Sequence, residues 1–103
     1  METPVKQPLD CKSIDEVRAE IDRIDKEIIG LLGKRFLYVK EVVKFKKPDK
    51  DSIYAKDRFN KVIEERSRWA KSYGLDATVI EQIYRILMNY FIEEELKIVN
   101  LKK

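Results

Sequence analysis

The fold of this protein is decided by residues 13–46, which read SIDEVRAEIDRIDKEIIGLLGKRFLYVKEVVKFK. Apolar residues recur in this stretch at alternating spacings of three and four, which is the pattern of an amphipathic α-helix. Ser13 and Glu16 have the spacing of a capping box, in which a hydroxyl and a carboxylate bind the free amides of a helix start. Pro48 follows the stretch and cannot continue a helix. The pattern predicts one helix from Ser13 to Lys46, about 50 Å long.

This helix has an apolar seam along one face. A helix of about 50 Å is long compared with a compact domain of 100 residues, whose radius of gyration is about 13 Å. It must therefore overhang its own domain, and the rest of the chain is too short to cover it. A second copy of the same helix is the economical partner, so we expect an intertwined homodimer. The seam consists of Ile14, Val17, Ile21, Ile24, Ile28, Leu31, Tyr38, Val42 and Phe45.

Two further helices are predicted after the polar, proline-bearing segment PDKDSIYAKD at residues 48–57. The first ends at Gly74, which suits a left-handed C-terminal cap, and the second begins at a cap formed by Asp76 or Thr78. No strand pattern is found. We predict an all-α, three-helix subunit in which residues 1–12 form an irregular N-terminal arm and residues 13–103 form the helical domain. The apolar face of the first of these helices is Phe59, Val62, Ile63, Trp69, Ala70 and Tyr73, and that of the second runs from Ile80 to Leu101.

The composition excludes several classes of function. The 103 residues include no histidine and one cysteine, Cys11, so one chain cannot assemble a His/Cys metal site, a disulfide framework or a Ser-His-Asp relay. The three glycines are too scattered for a phosphate-binding loop. The 22 Lys+Arg and 19 Asp+Glu alternate along the chain, which gives little support to nucleic-acid binding. Neither an apolar run of about 18 residues nor a signal segment is found, so we expect a cytoplasmic protein with no membrane partner.

Arg35 interrupts the seam at a position where an aliphatic residue is expected. A buried guanidinium is costly unless an anion meets it. That anion is either a glutamate of a neighbouring helix or a bound carboxylate or phosphate. On a continuous helix Lys46 would share the face of Arg35 about 16 Å further along the axis, so both cations could reach one small ligand. Arg18 could join them only from an antiparallel partner helix. Taken singly, Arg18 and Lys46 are also explained as solvated surface residues.

Two adjacent glutamates, Glu94 and Glu95, lie near the end of the last predicted helix. Glu95 shares a face with Tyr84, Met88 and Phe91, whereas Glu94 falls on a different side. One of the two is therefore expected to point inward. The alternative for both is a salt bridge at the rim of the fold.

Four segments carry a resemblance to a known family. With these segments the chain resembles the all-helical chorismate mutase family over residues 9–98, and within it the isochorismate pyruvate lyases of salicylate and siderophore biosynthesis. The resemblance implies the intertwined dimer of the chorismate mutase type II fold. Each of its two active sites would bind a small cyclohexadiene dicarboxylate with an enolpyruvyl ether, without a cofactor or a metal. The segments are VRAEIDRIDKEIIGLLGKR (17–35), YVKEVVKFK (38–46), DRFNKVIEERSRWAKSYGLD (57–76) and IYRILMNYFIEEELK (83–97).

The same resemblance implies functions for individual residues. Arg35, together with Arg18 of the partner subunit, resembles the carboxylate-binding arginines of the family. Lys46 resembles the donor to the ether oxygen and a carboxylate, and Arg58 a further cation of the site. Glu95 stands where many relatives have a glutamine that donates to the ether oxygen, and a carboxylate can donate only when it is protonated.

Phe59 departs from the pattern of the family's mutases. They commonly have a glutamate just after the position of Arg58, where it meets a ring hydroxyl. The departure favours the lyase, so we expect elimination of pyruvate from isochorismate to give salicylate, with weaker chorismate mutase activity. A protein that is primarily a chorismate mutase is the first alternative. A non-catalytic helical module that binds a partner through its seam is the second.

Overall fold

The computed structural model of the protein describes residues 6–99, a range that is helical and contains no β-strand. The predicted all-α class is confirmed for these residues. The predicted count of three helices is wrong for them, because a short fourth helix lies in the polar segment 48–57. The predictions for residues 1–5 and for Leu101 lie outside the described residues. The α-helices are α1 Ile14–Val42, α2 Lys50–Tyr54, α3 Lys56–Ser72 and α4 Ala77–Ile98, and 3₁₀ turns lie at Pro8–Asp10 and Val43–Phe45.

The chain divides into two compact units, of which the first ends at Phe36 and the second begins at Leu37. The first unit holds residues 6–13 and most of α1. The second holds the last turns of α1 together with α2, α3 and α4.

The start of α1 follows the sequence prediction in part. The Ser13 hydroxyl accepts a hydrogen bond from the Glu16 amide at 3.2 Å, which is one half of the capping box. The other half differs, because the Glu16 carboxylate accepts from the Lys12 amide at 2.5 Å and from the Lys6 ammonium at 2.6 Å. The hydrogen bond from Lys6, followed by that from Lys12, holds the pKa of Glu16 below its usual value. These contacts attach the N-terminal arm to α1.

The end of α1 lies four residues before the predicted one. The α-helix stops at Val42, a 3₁₀ turn follows, and Lys46 is extended with φ −101° and ψ 149°. Pro48 explains the early end, because its ring clashes with the carbonyl four residues earlier and disfavours the α conformation of the residue before it. The prediction that Lys46 continues the helical face of Arg35 is therefore wrong.

The helix that the sequence did not predict is α2, which has five residues. Its N-terminus is capped by the Asp49 carboxylate, which accepts from the Ser52 amide at 2.7 Å. Its C-terminus is Ala55, whose left-handed backbone has φ 48° and ψ 63°. Ile53 anchors the helix, since its side chain is fully buried.

The core of the second unit lies between α3 and α4, with α2 against α4. Its central cluster joins Phe59 and Ile63 of α3 to Ile53 of α2 and Ile92 of α4. Most of the apolar face predicted for α3 is buried as expected. The buried members of that face are Phe59, Val62, Ile63 and Ala70.

The turn between α3 and α4 was predicted correctly. Gly74 is left-handed with φ 74°, and the Leu75 amide donates to the Ala70 carbonyl at 2.9 Å, as in a Schellman motif. Asp76 then caps α4 by accepting from the Thr78 amide at 2.8 Å.

Two residues placed in the core by the sequence are exposed. Trp69 is 51% exposed and Tyr73 is 82% exposed. The Arg66 guanidinium lies 4.5 Å from the centroid of the Trp69 ring. Such a cation–π contact covers one ring face without burial in the core, which accounts for the exposed position of Trp69 next to the buried Ala70.

Candidate active site

The structure brings together two of the residues that the sequence singled out, Lys46 and Glu95. The Lys46 ammonium donates to Glu95 Oε1 at 2.9 Å and to the Ile53 backbone carbonyl at 2.8 Å. The Lys46 side chain is 20% exposed and that of Glu95 is 5% exposed. Among the described residues, Glu95 is the one charged residue that is buried. This pair is the centre of the candidate site.

Glu95 reaches the interior because of its position on α4. It lies on the face of Phe91, which is also buried, one turn further along the helix. Glu94 is half-buried, and its carboxylate meets the exposed Lys97 ammonium at 3.5 Å. The prediction that one of the two glutamates points inward is confirmed, and it is Glu95.

Lys46 contacts Glu95 from a segment 49 residues earlier in the chain. The 3₁₀ turn that ends α1 closes with a hydrogen bond from the Lys46 amide to the Val43 carbonyl at 3.2 Å, and Val43 is buried. The extended backbone of Lys46 then directs its side chain to α2 and α4. An ammonium has three donors, and two of them are used by Ile53 and Glu95. One donor is left for a ligand.

The three arginines of the predicted site lie on two helices, α1 and α3. Arg18 is exposed and Arg35 is half-buried, and both belong to the part of α1 in the first unit. Arg58 is exposed in the first turn of α3 in the second unit. Their binding of a substrate remains a prediction.

Phe59 follows Arg58 and points the other way, into the core. It is 3% exposed, and its ring stacks on that of Tyr54 with centroids 5.3 Å apart. The Arg85 guanidinium lies 6.0 Å from the same ring. No carboxylate can act at this position, where the family's mutases commonly have one.

The Ile53 carbonyl is the contact that the sequence did not reveal. Backbone carbonyls carry no residue-specific signal, and α2 itself was not predicted. The Asp49 cap, four residues before a buried isoleucine, is the one sequence signal for this helix.

Residues 6–99 contain neither a metal-ligand cluster nor a membrane-spanning helix. No group of three or more His, Cys, Asp or Glu residues there is placed to hold a metal ion. No helix in the same range is long and apolar enough to cross a membrane.

Comparison with known proteins assigns the family. The family model described as chorismate mutase type II matches residues 17–96. An isochorismate pyruvate lyase of Pseudomonas aeruginosa is 38% identical over 93 residues, which cover 90% of this chain and 91% of the lyase. A T-protein of Haemophilus influenzae is 34% identical over 77 residues, which cover 75% of this chain but 20% of the T-protein. The resemblance found in the sequence is thereby confirmed, and the chain belongs to the chorismate mutase type II family.

Proposed function

We propose that this protein eliminates pyruvate from isochorismate to give salicylate, with a weaker conversion of chorismate to prephenate. The observation that carries the proposal is the largely buried Lys46 ammonium, held by two acceptors with one donor left over. In the concerted elimination the ether carbon–oxygen bond breaks while a ring hydrogen transfers to the methylene carbon of the enolpyruvyl group, so that pyruvate leaves and the ring becomes aromatic. Negative charge develops on the ether oxygen, and a preorganised ammonium stabilises that charge.

The functions of the two central residues follow from their hydrogen bond. Glu95 accepts from Lys46, so we propose that it orients the ammonium as a carboxylate. The protonated donor that the resemblance implies is then not needed. Arg35 would bind a substrate carboxylate, and Arg58 would add positive charge. Positioning and charge stabilisation suffice for a concerted step that requires no nucleophile.

Phe59 and the lyase of Pseudomonas aeruginosa support elimination over rearrangement. A buried aromatic ring offers no acceptor to a ring hydroxyl, and the similarity to the lyase extends over nine-tenths of both chains. Chorismate rearrangement as the main activity is the second candidate, because Lys46 would act on the same ether bond in chorismate.

Parallel assays of the two substrates test the proposal. We expect a higher kcat/KM for pyruvate release from isochorismate than for prephenate formation from chorismate. Lys46→Met should abolish both activities, whereas Lys47→Met, at the exposed neighbouring position, should retain them. The reverse preference would make the protein a mutase. Absence of both activities, with no rise in melting temperature on addition of either dicarboxylate, would favour the interaction module.

We also propose that the protein acts as an intertwined homodimer in which Arg18 of the partner subunit completes each site. The support is α1 itself, which has 29 residues, none of them buried within the subunit. An apolar stripe of this length needs a covering surface. The first six seam residues are between 40% and 64% exposed: Ile14, Val17, Ile21, Ile24, Ile28 and Leu31.

Two adjacent isoleucines provide a matched test of the homodimer. Ile28 lies on the seam, and Ile29 is 69% exposed beside it. Ile28→Glu should give a monomer in sedimentation and lose activity, whereas Ile29→Glu should keep both the dimer and the activity. A monomeric wild-type protein with full activity would overturn the proposal.

A further inference from the structure

The short helix α2 has an unusual construction. Its five residues lie between a side-chain cap at Asp49 and the left-handed backbone of Ala55. Ala55 is the one non-glycine residue with positive φ in the described range 6–99. Residues with a Cβ seldom adopt this conformation, and where they do the surrounding structure holds them in place. The neighbouring α3 begins directly after Ala55, at Lys56.

The consequence of this construction is an available carbonyl at Ile53. The Ala55 amide donates to the Asp51 carbonyl at 2.9 Å and closes the last turn of α2. Because the left-handed residue then redirects the chain into α3, the Ile53 carbonyl lies at a helix end, where carbonyls lack intrahelical partners. It accepts from the Lys46 ammonium at 2.8 Å.

We infer that α2 is a positioning element for Lys46, and that Asp49 and Ala55 are positioning residues for the reaction because they hold the Ile53 carbonyl in place. The inference rests on the function proposed above. Two acceptors on different helices, Ile53 of α2 and Glu95 of α4, fix two N–H bonds of a tetrahedral ammonium. The direction of the third N–H, the donor left for a ligand, is then fixed as well. With Glu95 alone, the ammonium could rotate about a single hydrogen bond.

Positioning by α2 depends on its two ends. A helix of five residues is far shorter than the roughly 12–15 residues that an isolated helix needs for marginal stability. It therefore depends on the burial of Ile53 and on its caps. Loss of the Asp49 cap should reduce the fraction of molecules in which the Ile53 carbonyl meets Lys46, while Lys46 keeps its charge. We expect an effect on kcat, through transition-state stabilisation, and little effect on KM.

The matched control is the other aspartate cap. Asp49 accepts from an amide at 2.7 Å and Asp76 at 2.8 Å. Asp76 caps the far end of α4, 19 residues from Glu95 (95 − 76) and about 28 Å away along the helix. Asp49→Ala should lower kcat about tenfold with KM within about twofold. Asp76→Ala should lower the melting temperature by about as much as Asp49→Ala does, but it should leave kcat within about twofold of the wild type. Asp49→Asn, which also caps, should restore kcat.

Ala55 provides a second, independent pair of variants. Ala55→Gly keeps the left-handed conformation at no steric cost and should keep kcat. Ala55→Val places a β-branched residue in that conformation, which is strongly disfavoured, and should lower kcat as Asp49→Ala does.

The ammonium itself gives a readout that does not depend on activity. In protein labelled with ¹⁵N-lysine, a hydrogen-bonded Lys46 ammonium should give a slowly exchanging signal that Lys46→Met removes. The signal should persist in Asp76→Ala and be lost in Asp49→Ala. If that pattern is found in a protein without either activity, the positioning stands and the proposed function fails. If the wild type is active and Asp49→Ala matches Asp76→Ala in both kcat and the signal, the positioning by α2 is overturned.

Discussion

Removal of Glu95 and removal of Lys46 should each destabilise the fold, and the loss of Lys46 should cost more. Glu95→Leu leaves the ammonium with the Ile53 carbonyl, and 20% of the Lys46 side chain still reaches solvent. The loss should lie at the lower end of the range for broken buried pairs, about 3 kcal/mol. Lys46→Met leaves a carboxylate that is 5% exposed without its donor. That loss should be about 4–5 kcal/mol.

The double variant Lys46→Met/Glu95→Leu should recover most of the stability. With both charges removed, apolar side chains of similar length occupy the same space, and such replacements are often neutral or stabilising. We expect the double variant to lie within about 1 kcal/mol of the wild type. If its loss equals or exceeds the sum of the two single losses, the pair does not carry the energy assigned to it, and the description of the site is wrong.

Urea unfolding followed by far-ultraviolet circular dichroism is the suitable assay, with the free energy of unfolding obtained by linear extrapolation. The single tryptophan, Trp69, is already 51% exposed and would report weakly by fluorescence. The protomer concentration must be fixed, because dimerisation would couple to unfolding. For Glu95→Leu, about 3 kcal/mol corresponds to a fall in Tm of about 12–24 °C. The exposed pair Arg85–Glu81 on α4 is the control, and its single variants should each lose less than about 1 kcal/mol.

Three further outcomes are expected. Arg35→Ala should lower kcat/KM about a hundredfold, the loss of about 3 kcal/mol from a charge-assisted bidentate contact, while circular dichroism stays unchanged; near-normal turnover would make Arg35 a structural residue. Arg18→Ala and Arg35→Ala proteins, each inactive alone, should recover activity when mixed and refolded, because one site of a heterodimer carries neither defect; confirmed heterodimers without activity would argue against a shared site. The Ser52 amide, and then its hydroxyl, hold the pKa of Asp49 below its usual 3.8, so the cap stabilises above that pH and is lost as pH falls through the lowered value. The difference in Tm between wild type and Asp49→Asn should therefore be constant at neutral pH and change only below about pH 4. A change between pH 5 and 8 would contradict the assignment of this difference to the titration of Asp49.

The three longer helices were predictable because they rest on apolar periodicity and on recognisable cap residues. The spacing of the seam predicted α1, the glycine at position 74 predicted the end of α3, and Asp76 was one of two caps proposed for α4. Two features were missed, one set by tertiary burial and one by a nearby proline. α2 forms because Ile53 is buried by the other helices, and the end of α1 changes to a 3₁₀ turn before Pro48. Neither follows from a periodic pattern.

The Lys46–Glu95 pair was predictable in its residues but not in its geometry. The helical pattern of α4 predicted that one of Glu94 and Glu95 points inward, and the resemblance to the family identified Glu95 and Lys46 as site residues. The helical argument that linked Lys46 to Arg35 fails, however, because α1 ends before Lys46. Lys46 reaches Glu95 because its backbone leaves the helix. A backbone carbonyl, which the sequence does not specify, completes its coordination.

A lysine suits position 46 better than any other cation because of this coordination. An ammonium directs three N–H bonds tetrahedrally from one atom, so two acceptors on α2 and α4 determine where the third bond points. A guanidinium spreads its donors over a plane in a fixed fork, and a terminal nitrogen that donated its two N–H bonds to these two acceptors would have no third N–H to offer a ligand. Lysine is otherwise the more flexible and more strongly hydrated of the two cations. The two hydrogen bonds remove that flexibility, and the burial removes part of the hydration. The ammonium is therefore already oriented before a substrate arrives, and the energy for ordering it is supplied by the fold.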